Sequence, residues 1–351
     1  MVKTEPFDAR VSIGLYQHEH MRPVELTDLG LDTEPYSLES FKRKLRVSVV
    51  KCDNEELEFD LVGVNPAIAN AIRRILIAEV PTLAADRITL INNTSFIHDK
   101  DLTNRIGLVP IMVDPRLFEY RAASDSASAD NTVIFELNVR CTKNLNATLD
   151  ATEPKDLYIN SSVYSGQMKW RPLEGQQALF AKNPPRPVHD DILIAKLRPG
   201  QEIVMTIECL KGIGKTHAKF SPVATASYRL LPTIEILEEI SGEAALRFRD
   251  SFSEGVVELE QKGDRQVARI VNARRDTCSR NVLIHEDLAK KVRLGRQRDH
   301  FIFSVESAGM LPPDVLVKES IKVMLSKCKN FLEQIERVRG RRHGDIDEDD
   351  R

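Results

Sequence analysis

The stretch Val64-Asn-Pro-Ala-Ile-Ala-Asn-Ala-Ile-Arg-Arg-Ile-Leu-Ile-Ala-Glu-Val-Pro81 constrains the fold more than any other part of the chain. Asn65 suits an N-cap, and Pro66 suits the first helical turn, where a missing N–H costs nothing. Pro81 turns Val80 away from helical angles, so the helix is predicted to end there. Ile68, Ile72, Ile75, Leu76 and Glu79 fall on one stripe at i, i+4, i+7, i+8 and i+11. The opposite side carries Ala67, Ala71 and Ala78 with Asn70, Arg73 and Arg74. Apolar on one side and small on the other, this helix is expected to be buried on both. The arginine pair then needs either solvent at the helix edge or acidic and carbonyl groups of another subunit.

A second helix is written at the other end. From Pro312 to about Val338, the residues Val317, Ile321, Met324, Cys328, Phe331, Ile335 and Val338 are spaced 4, 3, 4, 3, 4, 3. That is a heptad seam, widened by Leu325 and Leu332. About 26 residues at 1.5 Å each give a rod of ~39 Å, longer than one small domain covers, so part of the seam is expected to pack on a second chain. Packing across its own sheet is the alternative, and the two are compatible.

Outside these helices the pattern is mostly β. Leu45, Val47 and Val49 alternate with polar residues, then Leu57, Phe59 and Leu61, which predicts a hairpin leading into the first helix. Strands are predicted at Arg87–Ile91 and Val133–Val139, with a short helix at Asp99–Ile106 between them. A second hairpin is expected from Ile192–Leu197 and Ile203–Leu210, and further strands at 224–230, 233–237, 256–259, 267–271 and 300–306. The fold class is therefore α+β: a two-part domain of antiparallel sheet, one buried helix and one long C-terminal helix, interrupted by a β-rich insert. The boundaries expected are an extended arm over 1–44, the two-part domain at 45–82 and 224–340, the insert at 83–223, and a charged, disordered tail at 341–351.

Composition narrows the function. The 351 residues suggest about two domains. A net charge of −3 does not fit nucleic-acid binding through sheer excess of cations. The basic stretch Lys262–His300, with eleven Lys and Arg against five Asp and Glu, lacks interleaved aromatics and is read first as a solvated or partner-facing surface. No apolar run is long enough for a membrane span, and no signal-peptide core opens the chain. Five scattered cysteines suit a reducing compartment and offer no zinc spacing. Four Asn-x-Ser/Thr matches, at Asn92, Asn93, Asn146 and Asn160, are read as chance without a secretory signal.

The chemistry-bearing motifs are fragments. Lys211-Gly-Ile-Gly-Lys-Thr-His217 contains Gly-Lys-Thr after a strand, yet a phosphate loop needs a glycine five before Gly214, where Cys209 stands. A nucleotide-hydrolysing enzyme using Lys211–Thr216 is the alternative this leaves. His189-Asp-Asp191 reads as a turn, since adjacent strand residues face opposite ways. His18-Glu-His20 needs ligands from elsewhere to hold a metal. No catalytic residue, metal site or cofactor is expected.

The ordered motifs resemble the α-subunit family of RNA polymerases. Asn65–Pro81 is similar to its dimerisation signature. His98-Asp-Lys-Asp-Leu-Thr-Asn-Arg-Ile-Gly-Leu-Val-Pro110, Arg186–Glu202 and Lys211–Pro232 resemble the larger α-like subunits shared by eukaryotic polymerases I and III. The resemblance implies a non-catalytic assembly subunit that heterodimerises with a small α-like subunit. The pair would hold the two catalytic large subunits among the other core subunits, meeting DNA only through the complex, in the nucleus including the nucleolus. It implies a dimer interface of Ile68, Ile72, Ile75, Val317, Ile321, Met324, Cys328, Phe331 and Ile335, and a large-subunit contact through Arg73 and Arg74. Relatives of the polymerase II and archaeal types carry clustered cysteines in the insert. Cys141 and Cys209 stand alone there, so neither a zinc nor an iron–sulfur site is expected. An arginine pair awaiting a large subunit should also look under-satisfied in the chain alone.

Overall fold

The computed structural model describes residues 10–12, 37–147 and 152–344. Its strands are β1 (Arg10–Ser12), β2 (Arg46–Cys52), β3 (Glu56–Val62), β4 (Thr82–Asn93), β5 (Thr132–Arg140), β6 (Ser162–Tyr164) and β7 (Lys169–Arg171). They continue with β8 (Leu193–Lys196), β9 (Glu202–Gly212), β10 (Val223–Ile236), β11 (Val257–Lys262), β12 (Arg265–Ile270) and β13 (Val292–Ser307). The helices that matter are α1 (Leu38–Lys44), α2 (Pro66–Ala78), α3 (Asp99–Gly107), α4 (Pro154–Leu157), α5 (Glu243–Asp250) and α6 (Pro313–Gly344). The fold is α+β with antiparallel sheets.

Two compact units emerge. One contains the residues up to Val50, Glu58–Asn70 and Ser227–Ser304; the other contains Lys51–Leu57, Ala71–Ala226 and Val305 onward. This grouping cuts the chain differently from the expected two-part domain plus insert, because α2 runs through the division and α6 falls with residues 71–226.

The first unit holds a sheet ordered β1-β13-β3-β2, with β10 also pairing β13. Strict alternation decides its inward face: Leu57, Phe59 and Leu61 are buried while their neighbours are half-buried. Phe59 stacks on Phe303 at 4.9 Å, and Tyr228 meets Phe301 edge-on at 5.3 Å. A separate core gathers Phe248 of α5, Val257 of β11 and Ala268 of β12 with Val282 and Leu288. The two strands expected at 224–230 and 233–237 are one strand, β10, that runs through Pro232. Among the described residues it pairs with β13 alone, so the proline needs no ladder bond on the other edge.

The second unit is built on a sheet ordered β7-β5-β9-β4. Val133, Phe135, Leu137 and Val139 of β5 and Ile203, Met205, Ile207 and Cys209 of β9 all point into one core. Here the expected 192–210 hairpin is corrected. Both strands exist, but β8 pairs with β6, and β9 is flanked by β4 and β5. A strand with both edges taken has no ladder to offer its chain neighbour, although a turn through Gly200 at φ +91° does join them.

At the termini, the extended arm contains a helix. Ser37 Oγ accepts from Ser40 N at 3.4 Å to cap α1, and Lys42, Arg43 and Lys44 sit in its last turn, where cations suit the helix dipole. Residues 1–9 and 13–36, with His18-Glu-His20, lie outside the described residues, as do the sequon end at Thr148 and the tail 345–351. The long helix passes its expected end near Val338 and continues to Gly344, 32 residues or about 48 Å.

Candidate assembly interface

The first helix is held at both ends. Asn65 Oδ1 accepts from Ala67 N at 2.8 Å, and the Asn65 carbonyl accepts from Ile68 N at 2.9 Å. At the far end, Lys215 N donates to the Ala78 carbonyl at 2.8 Å. The glycine before it allows that approach, since a Cβ on Gly214 would lie 2.2 Å from the Ile77 carbonyl oxygen. The phosphate-loop fragment thus meets the negative end of a helix, the opposite of what a phosphate needs. Lys211 is used too: its Nζ donates to the Phe118 carbonyl at 2.7 Å and lies 5.0 Å from the centre of the Tyr120 ring. Burial pulls its pKa down. These placements replace the nucleotide-enzyme alternative with a structural one.

Along α2, Ala69, Ile72, Ile75 and Leu76 are buried and Ile68 is half-buried. Arg74 is exposed, while Arg73 is half-buried and already engaged within the chain. The expectation that both arginines would be under-satisfied is therefore corrected for Arg73. Nothing in its spacing signals an interaction within the chain.

The C-terminal helix is buried only at its start. Leu316 and Ser320 are fully buried, and Ser320 Oγ donates to the Val317 carbonyl at 2.7 Å. Glu319 receives Lys322 at 2.8 Å and stands 3.7 Å from Arg116. Beyond Ser320 no apolar side chain of the helix is fully buried among the described residues. Val317, Met324 and Ile335 are half-buried, whereas Ile321, Leu325, Cys328, Leu332 and Val338 are exposed, and Phe331 is 65% exposed. Fully burying an aliphatic or aromatic side chain yields about 1.5–3 kcal/mol, and the five large ones are 47–65% exposed, so covering them yields roughly 6 kcal/mol. Association costs about 4–15 kcal/mol, so the stripe offsets part of that cost and the rest of the contact must supply the surplus. In the first unit, β2 leaves Val47, Val49 and Val50 exposed as well.

Other candidate chemistry is absorbed by structure. His189, Asp190 and Asp191 are exposed in a turn, where Gly166 N donates to the Asp190 carbonyl at 3.0 Å. Cys141 and Cys209 are buried, and burial pushes the Cys209 thiol up to about 12. Among the described residues no group of three or more His, Cys, Asp or Glu stands together as metal ligands, and no helix is long and apolar enough to cross a membrane. Part of the basic stretch 262–300 is spent on carboxylates. Arg274 bridges Glu58 and Asp60 at 2.6 Å each, Lys262 pairs Glu239 at 2.7 Å, and Arg269 faces Glu260 at 3.5 Å.

The family model described as the RNA polymerase Rpb3/Rpb11 dimerisation domain matches residues 58–328. The mouse (Mus musculus) protein named DNA-directed RNA polymerases I and III subunit RPAC1 is 51% identical over 340 residues, 95% of this chain and 97% of the relative. The Saccharomyces cerevisiae protein of the same name is 45% identical, over 84% of this chain and 88% of the relative. The Dictyostelium discoideum DNA-directed RNA polymerase II subunit rpb3 is 29% identical, over 84% and 95%.

Proposed function

The chain belongs to the RNA polymerase Rpb3/Rpb11 dimerisation-domain family, and from that premise we propose that it is an assembly subunit of DNA-directed RNA polymerases I and III. It pairs with a small α-like subunit, and the heterodimer holds the two catalytic large subunits. Its work is then architectural, in the nucleus and nucleolus, supporting synthesis of ribosomal RNA precursor, 5S RNA and tRNA without catalytic residues of its own. The dimer contact runs through Val317, Ile321, Met324, Cys328, Phe331 and Ile335 with the half-buried Ile68, while Ile72 and Ile75, already buried within the chain, act by fixing α2 rather than by touching the partner. Of the arginine pair, the exposed Arg74 is the better placed to reach a large subunit, with Arg73 beside it.

The observation that carries this reading is the exposed to half-buried apolar stripe from Ile321 to Val338 on a helix whose buried residues end at Ser320. A helix with this much apolar surface is expected to bury it on another protein. The test is to purify the tagged chain from cell extract and identify what travels with it. The small α-like subunit and the large subunits of polymerases I and III are expected in stoichiometric amounts. Recovery of the chain alone, monodisperse at micromolar concentration, overturns the reading.

A further inference from the structure

The second unit carries a groove of about 550 Å³ that the assembly reading does not use. Its floor is the two-stranded ribbon of β6 and β8. Val163 and Ala195 point from one face of that ribbon into the core. Ser162, Tyr164 and Lys196, on the alternate positions, line the groove from the other face. Lys155 of α4 and Tyr158 form one wall, and Phe96, from the loop between β4 and α3, lines it as well. Phe96 is 81% exposed, an expensive place for a phenyl ring unless something covers it. Arg198 completes the lining.

Charge is distributed unevenly here. Lys155, Lys196 and Arg198 are exposed and form no ion pair among the described residues, whereas Lys262, Arg269, Arg274 and Arg293 of the 262–300 stretch each meet a carboxylate. The one carboxylate in the lining is Glu153. Three unpaired cations beside exposed aromatic rings, on a chain of net charge −3, form a local positive site with an apolar grip.

We propose that this groove docks an acidic peptide segment of a partner protein, one that places an aromatic or long apolar side chain against Phe96 and Tyr164 and its carboxylates against Lys155, Lys196 and Arg198. Serine hydroxyls at 161 and 162 supply hydrogen bonds to a peptide backbone, and Glu153 favours the end of the segment that is not acidic. Single-stranded nucleic acid suits the site less well. Three phosphate contacts release few counterions, with a salt slope of only about −2, and Glu153 repels a phosphate chain running past it.

The test uses the full chain purified with the partners it carries. A displayed random library of peptides of roughly 12 residues is selected on it, and binding of the enriched peptides is measured by fluorescence anisotropy with oligothymidine as competitor. Enrichment of acidic peptides with an aromatic residue is expected. Their affinity should fall about tenfold or more in Phe96→Ala and in the Lys196→Glu, Arg198→Glu double variant. Both changes lie on exposed side chains, so the fold should stand. Four results overturn the proposal: no enrichment above background, enriched peptides without acidic residues, unchanged affinity in both variants, or displacement by less oligothymidine than unlabelled peptide.

Discussion

Lys327 Nζ sits 2.6 and 2.8 Å from the two carboxylate oxygens of Glu79, tying the middle of α6 to the residue just past the last turn of α2. With side chains 55% and 28% exposed, the pair contributes at most about 1 kcal/mol. Its importance is positional. It is a point where α6, past its buried start, still meets α2 through a side chain.

The loop after β9 is expected to behave as a helix cap. Gly214→Val drives a side chain into the Ile77 carbonyl and should cost about 2–4 kcal/mol, read as a fall in Tm. Lys215→Ala keeps the backbone donor to Ala78 and removes only an exposed side chain, so its Tm should stay within a degree or two of the wild type. A large loss in the second variant and none in the first would contradict the capping role.

Arg274 holds Glu58 and Asp60 together, and Asp60 also faces His300 Nε2 at 3.1 Å. All four side chains are less than a third exposed. Arg274→Met leaves two carboxylates side by side without their cation and should destabilise the first unit by roughly 2–4 kcal/mol in urea titration. Restoring stability by adding Glu58→Gln and Asp60→Asn would show that the loss comes from the stranded charges.

Asp276 is buried, and one of its carboxylate oxygens finds no partner. Burial raises its pKa, so the folded state disfavours the ionised form. The penalty is absent below the unfolded carboxylate pKa and grows as pH rises through the raised folded value. Asp276→Asn should therefore raise Tm at pH 7 and lose that advantage near pH 3. An equal change at both pH values would point to packing instead.

Thiol reactivity should sort the cysteines. Cys52 and Cys328 are exposed and should react with a thiol reagent at pH 8, while the buried Cys141 and Cys209 should wait for unfolding. Cys328 lies on the seam and should become protected when the small α-like partner is present. Equal labelling of Cys328 with and without that partner would remove it from the interface.

Both key helices were legible in the chain because period and caps agreed: Asn65, Pro66 and the Ile68/Ile72/Ile75 stripe for α2, and the 4-3 spacing for α6. Strand pairing was not. The chain between Leu197 and Ile203 looks like a hairpin turn, but which strand lies beside β9 is decided by β4 and β5, whose residues are over 60 positions away. Nor does spacing reveal that Arg73 is satisfied within the chain, or that the Phe96 groove exists. The groove assembles residues from three separate stretches, and no local pattern links them.

The heptad stripe decides the account. Phe331 is largely exposed in the chain alone, so Phe331→Asp should leave its own Tm nearly unchanged while placing a charge in a desolvated helix contact, a cost of several kcal/mol to the dimer. The direct measurement is light scattering after size exclusion of the chain co-expressed with the small α-like subunit. The wild-type chain should elute as a one-to-one heterodimer, and Phe331→Asp and Met324→Asp should elute apart from the partner. Retention of the partner at undiminished stoichiometry by both variants would contradict the claim that this helix is where the chain assembles.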